Sequence, residues 1–281
     1  MRKPDPLRLL VAYPYLDNPG MLKHVTDNAA HLQLVVDSGA YTAWKAGTPI
    51  KLDDYCRFLD RLPVTPWRYF ALDMIGDPAG TMRNYETMLK RGFKPIPVFT
   101  RGEDLSMLED YYRTADVVGI GGLVGTRGNK GFVNALMKAA GKRRTHWLGF
   151  TDMAYMKHYR PYMCDCSSWR WSVRYALVRV YAGKGRFENL TKKQCATRLP
   201  DPMQRLLRSY GVDPMSLAKE AAWKGERSIA GCLAGRSYVR CSNDVQKHLG
   251  VNMFLATASL TSCEVLLGEY KAETLFKETA S

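Results

Sequence analysis

Short apolar runs recur along the first two thirds of the chain, each closing on turn-forming or acidic residues and followed by a stretch with helical spacing. Residues 7–15 (LRLLVAYPY) read as the first strand, ended by Asp17-Asn18-Pro19-Gly20. Further strands are expected at 32–36, 69–75, 95–99, 116–120, 146–150 and 162–166. Between them, 52–62 places Tyr55, Phe58, Leu59 and Leu62 near helical spacing, with Asp53 and Asp54 suited to a first turn. Helices are also expected at 80–91, 103–113, 132–140 and 154–158. Residues 169–180 read as a helix blending into an eighth strand at 178–182. Strands alternating with helices predict a parallel sheet, and eight of them predict an α/β fold, a (β/α)8 TIM-like barrel.

After about residue 184 the pattern changes, with Gly183, Gly185, Pro200, Pro202 and Pro214 punctuating shorter segments. Residues 203–210, 215–223 and 251–269 look helical. The expected organisation is a barrel over 1–184 and a mostly helical C-terminal extension over 185–281 packed on it.

Composition narrows the partners. With 281 residues and 46% hydrophobic content, the chain can bury one large core. Its 41 Lys and Arg against 27 Asp and Glu give a net charge of +14, which suits a polyanion whose condensed counterions are released on contact. Nucleic acid is the first expectation; no sustained basic amphipathic helix points to a membrane surface. Seven cysteines (56, 164, 166, 195, 232, 241, 263) form no disulfide-like framework, and the apolar run after Met1-Arg2-Lys3-Pro4 is too short for a signal peptide. These features lead us to expect a reducing, cytoplasmic location, the host cytoplasm if the gene is carried by a phage.

The candidate chemistry is acidic. Asp37, Asp73 and Asp165 each stand near the carboxyl end of an expected strand, where barrel enzymes place their catalytic groups. Any one of them alone could cap a helix or close an Asx-turn. Three buried carboxylates are costly to collect without acid–base or nucleophilic work.

Several segments resemble the tRNA-guanine transglycosylase superfamily. Asp37-Ser38-Gly39-Ala40-Tyr41 is similar to its DSGG(F/Y) motif with Ala in place of the second glycine. Gly121-Gly122-Leu123-Val124-Gly125 resembles its GGL-x-VG turn with one residue fewer, and Asp165-Cys166, preceded by Leu148-Gly149, resembles its late Asp-Cys strand. The likeness spans about residues 8–180. Within that superfamily, Asp37 to Tyr41 with Trp44 and Gly47, Leu72 to Asp77, and Asp165 to Trp169 look like the DpdA branch of phages and bacteria, whose members place 7-deazaguanine bases into DNA. Ser167-Ser168-Trp169-Arg170 departs from the Pro-Thr-Arg of the tRNA enzymes, no C-x-C-x2-C zinc pattern is present, and 97–102 offers no counterpart of the family's pocket glutamine.

The resemblance implies a DNA-guanine transglycosylase working by double displacement, with Asp165 as nucleophile and Asp37 as general acid/base. It implies that Asp73, with Ser38, Gly39, Tyr41, Gly121, Gly122 and Leu123, forms the base site, and that a free 7-deazaguanine base is the second substrate. Arg170, Arg174 and Arg179, interleaved with Trp169, Trp171 and Tyr175, read as a phosphate track with stacking partners for DNA, together with Arg127 and Lys130. No cofactor is expected: a zinc site from Cys195, Cys232, Cys241, Cys263 and His248 would need a ligand spacing that is not a recognised one, and the five histidines read as structural. The alternatives are the same chemistry on tRNA, and a non-catalytic nucleic-acid-binding barrel supporting another subunit.

Overall fold

The computed structural model describes residues 5–124 and 130–279. The chain divides into two compact units, one of Arg8–Cys166 with Leu249–Ala256, the other of Met1–Leu7, Ser167–His248 and Thr257–Ser281.

The first unit is built from alternating strands and helices. β1 (Leu7–Ala12) leads to α1 (Tyr13–Leu16) and α2 (Pro19–Asp27), and β2 (Leu32–Asp37) to α3 (Ala40–Lys45) and α4 (Leu52–Asp60). β3 (Arg68–Tyr69) is followed by α5 (Pro78–Lys90), β4 (Val98–Phe99) by α6 (Met107–Tyr112), and β5 (Val117–Ile120) by α7 (Lys130–Ala140). β6 (Arg144–Trp147) precedes α8 (Met153–Tyr159), and β7 (Met163–Cys166) closes the continuous part. The second unit carries α9 (Trp171–Tyr175), β8 (Leu177–Tyr181), β9 (Phe187–Thr191), α10 (Lys192–Cys195), α11 (Asp201–Arg208) and α12 (Ile229–Leu249). The chain then forms β10 (Asn252–Thr257) and α13 (Leu260–Thr279).

Eight strands form one curled parallel sheet in the order β3-β2-β1-β10-β7-β6-β5-β4. Next to its two outermost strands, a parallel bridge joins Phe70, just after β3, to Ile96, just before β4, where Ala71 N–H donates to Ile96 O and Ile96 N–H to Tyr69 O, both at 2.8 Å. The edges therefore meet, as a TIM-like barrel requires. Leu10, Val35, Phe70, Val98, Met163 and Phe254 share its interior core.

The expected α/β barrel is present, but its eighth strand is β10, not residues 178–182. β8 instead pairs antiparallel with β9 in a separate two-stranded sheet. Residues 251–269, expected to be helical throughout, open as β10, whose Asn252 to Leu255 pair with Met163 to Cys166 of β7. The expected division at 184 moves accordingly: the second unit begins at Ser167, and the chain returns to the first at Leu249.

The second unit has its own core, in which Val178, Val180, Leu190, Leu207, Leu217 and Leu233 are buried. Its 21-residue α12 is tied to α13 by Arg236–Glu269 at 2.6 Å and Arg240–Glu273 at 2.8 Å. Gly231 in α12 has a packing reason: a Cβ there would lie 2.1 Å from Glu226 O.

Candidate functional site

Strand periodicity brings the first carboxylates inward. Side chains two apart share a face of a strand. Val35 and Met163 face the barrel interior, so Asp37 on β2 and Asp165 on β7 lie on the same inner faces, one step nearer the carboxyl ends. Asp73 follows β3 and is tied to the same wall by Ser38, whose fully buried hydroxyl donates to Asp73 Oδ1 at 2.9 Å.

The turn after Asp37 is sterically determined. Gly39 N–H donates to Asp37 Oδ2 at 3.2 Å while Gly39 holds φ of 78° at the start of α3. A Cβ at this position would lie 2.5 Å from Pro14 Cδ. Only glycine meets both demands without strain.

The surroundings of these carboxyl groups differ. Burial, then the nearby charges of Asp73 and Asp165, push the Asp37 carboxyl up to about 7, although the Gly39 and Ser38 N–H groups pull it back. Asp73 is also raised by burial, against the Ser38 hydrogen bond. Asp165 is 8% exposed, and its Oδ1 receives two partners: Gly149 N–H at 2.9 Å and His146 Nε2 at 3.0 Å. Among the described residues the buried Nδ1 has no hydrogen-bond partner, so the Asp165 carboxyl is the imidazole's one polar contact there. Phe70 meets the imidazole edge-on, with ring centroids 4.9 Å apart. Among the described residues, Asp165 Oδ2 is left without a donor.

A cavity of about 350 Å³ opens beside Asp73, lined by Ala40, Trp44, Pro49, Ile50, Leu72 and Met74 among others. An apolar slot with one carboxylate in its wall suits a flat ligand bearing N–H donors. The Gly-Gly turn lies across other loops: a Cβ on Gly122, at φ 70°, would be 2.5 Å from Arg101 Cβ, and one on Gly149 would be 3.2 Å from Val124. Leu123 is buried, and Gly121 N–H donates to Phe99 O. Tyr41 does not line this cavity. It is 56% exposed beside Trp44, with the Lys45 ammonium 4.9 Å above its ring.

Two groups near the site were missed in the sequence. His146 reads there as structural because its partner lies 19 residues away on the next strand, beyond any local ligand spacing. Glu103, beyond β4, receives Thr100 N–H at 2.7 Å and Thr100 Oγ1 at 2.6 Å on one carboxylate oxygen, just past the stretch that lacks a glutamine.

The expected nucleic-acid residues sort unevenly. Arg170 is committed to Glu226 at 3.1 Å, an acceptor that Ser259 and Ser262 also engage, so it is not a free phosphate ligand. Trp169 is buried as core. Arg174 is exposed, whereas Arg179 is partly buried over aromatic rings. Lys130 stands exposed at the start of α7, and Arg127 lies outside the described residues. Of the zinc candidates, Cys195, Cys241 and Cys263 are buried and His248 pairs with Asp244 at 3.1 Å. Among the described residues, no group of three or more His, Cys, Asp or Glu side chains could hold a metal ion, and no helix is long and apolar enough to cross a membrane.

No family model, no curated protein and no solved structure matches the chain.

Proposed function

We propose that the chain is a guanine transglycosylase acting on DNA, exchanging guanine for a 7-deazaguanine base. The observation that carries this reading is the convergence of carboxylates with different tasks: Asp37 raised to about 7 by burial and by Asp73 and Asp165, beside an Asp165 with one oxygen held and the other open.

Double displacement needs this division. Asp165 Oδ2 attacks C1′ as the bond from C1′ to the base nitrogen breaks, and the Asp37 carboxyl gives its proton to the departing guanine. The incoming base then loses its ring N–H proton to Asp37 while its nitrogen attacks C1′ and frees Asp165. A group that must donate and then accept works best with its pKa near the working pH, which is where burial and like charge put Asp37. Asp73, polarised by Ser38 at the wall of the apolar cavity, accepts from the N1–H and exocyclic amine of the base.

The test is to incubate the protein with duplex DNA, single-stranded DNA or tRNA together with labelled guanine and 7-deazaguanines, then digest and identify nucleosides. Label in DNA supports the reading. Label in tRNA alone would reject DNA as the substrate, and nucleic-acid binding with no label in any polymer would reject the enzyme reading in favour of a non-catalytic barrel.

A further inference from the structure

The net charge is concentrated. Residues 167–248 hold sixteen Lys and Arg against six Asp and Glu, ten of the fourteen net positive charges of the chain. On this same segment two aromatic side chains stand open to solvent, Trp171 at 38% and Tyr175 at 61% exposure. Their rings meet edge to face at 6.1 Å.

This surface is built, not left over. α9 buries Ser172 and turns Trp171, Arg174 and Tyr175 outward, and it ends at Ala176 in the left-handed region, φ 48°. β8 follows and pairs with β9, with Tyr181 opposite Phe187. The Arg179 guanidinium lies 5.8 Å from the Trp171 ring and 4.6 Å from the Phe187 ring, and Nη1 donates to Tyr238 OH at 3.3 Å. Arg179 therefore supports the indole from beside it. Arg174 is exposed and forms no ion pair among the described residues.

A solvent-facing Trp and Tyr backed by one arginine and flanked by a free one, on a segment of charge +10, match what unpaired nucleotides need: π-faces for bases and cations for phosphates. In a duplex the base faces are already stacked on one another and offer no such contact. We infer that the Trp171–Tyr175 surface binds single-stranded DNA, its rings stacking on bases and Arg174 meeting a phosphate. This rests on the proposed function only for the identity of the polymer.

Fluorescence anisotropy of the full-length protein with a labelled oligothymidine, an oligouridine and a blunt DNA hairpin tests it. The Trp171→Ala/Tyr175→Ala double variant should bind oligothymidine at least about tenfold more weakly, with hairpin binding and thermal transition unchanged. Trp171→Phe should retain most of the affinity, and Arg174→Ala should lower the salt slope for oligothymidine by about 0.7. Oligothymidine binding within about twofold of wild type in the double variant, or an equal loss on the hairpin, overturns the inference, and tighter binding to oligouridine overturns the choice of DNA. Base exchange is not read here: a protein that stacks single strands but exchanges no base fails the transglycosylase reading alone. One that exchanges bases while the double variant keeps its affinity fails this inference alone.

Discussion

His146 Nε2 and Asp165 Oδ1 lie 3.0 Å apart in the barrel interior, and the Gly149 N–H reaches the same oxygen at 2.9 Å. Two contacts on one oxygen fix the plane of the carboxyl group, and in the proposed mechanism Oδ2 is the atom that attacks. His146→Phe removes one contact and keeps an aromatic ring against Phe70. Because hydrogen bonds to a charged group contribute about 1.5–3 kcal/mol, exchange should slow about 10- to 150-fold. The KM for the free base should stay unchanged, since His146 does not line the cavity at Asp73. Steady-state kinetics in both substrates check this, and a loss confined to KM would contradict a positioning role.

The pH dependence of the two half-reactions should be opposite. In the proposed mechanism guanine release needs protonated Asp37 and should fall as pH rises through about 7, whereas uptake of the incoming base needs the carboxylate and should rise over the same range. Asp73→Asn removes one of the like charges that hold Asp37 up, so the limb for guanine release should move to lower pH. Single-turnover release of labelled guanine from pH 5.5 to 8.5 measures it; a flat profile would remove Asp37 as the acid.

Holding Asp37 at about 7 has a stability consequence whose sign is fixed by linkage. Between an unfolded carboxyl pKa of about 4 and the folded value, the folded chain binds the extra proton, so stability falls as pH rises through this window and is level above it. Asp37→Asn should therefore be more stable than wild type at pH 8, by on the order of 2–4 kcal/mol, with the advantage shrinking towards pH 4. Urea unfolding at both pH values checks the difference, and equal stabilities at pH 8 would contradict the burial of an ionised Asp37.

Gly39→Ala should cost about 2 kcal/mol or more, because the methyl group meets the Pro14 ring at 2.5 Å and the backbone holds φ of 78°. Gly47→Ala is the control. Its φ is 67° but a Cβ there meets nothing within 4 Å, so only the left-handed backbone strain of about 1–2 kcal/mol remains. Urea midpoints for the two variants should differ in that order.

The barrel was legible because its strands are short apolar runs separated by helices of the right length. The eighth strand was not. β8 is a five-residue alternating segment, and periodicity cannot say that its partner is β9 and not a barrel neighbour. β10 abuts α13, so an apolar run from 251 onward reads as one helix. α12 was missed because Gly231 and Gly235 lower its helical signal, and the close contact with Glu226 that requires Gly231 is tertiary. At the site, Asp37, Asp73 and Asp165 could be found as carboxylates near strand ends. Which oxygen of Asp165 is held depends on His146 and Gly149, contacts across strands that no local pattern encodes.

The most direct test is a trapping experiment on Asp165. DNA, the protein and a labelled 7-deazaguanine are mixed, quenched in denaturant, and the wild type is compared with Asp165→Asn for base incorporation and for a covalent protein–DNA adduct mapped by mass spectrometry. The expected result is incorporation and an adduct on Asp165 in the wild type, with neither in Asp165→Asn. Incorporation by Asp165→Asn at the wild-type rate, or an adduct on another residue, would contradict the account.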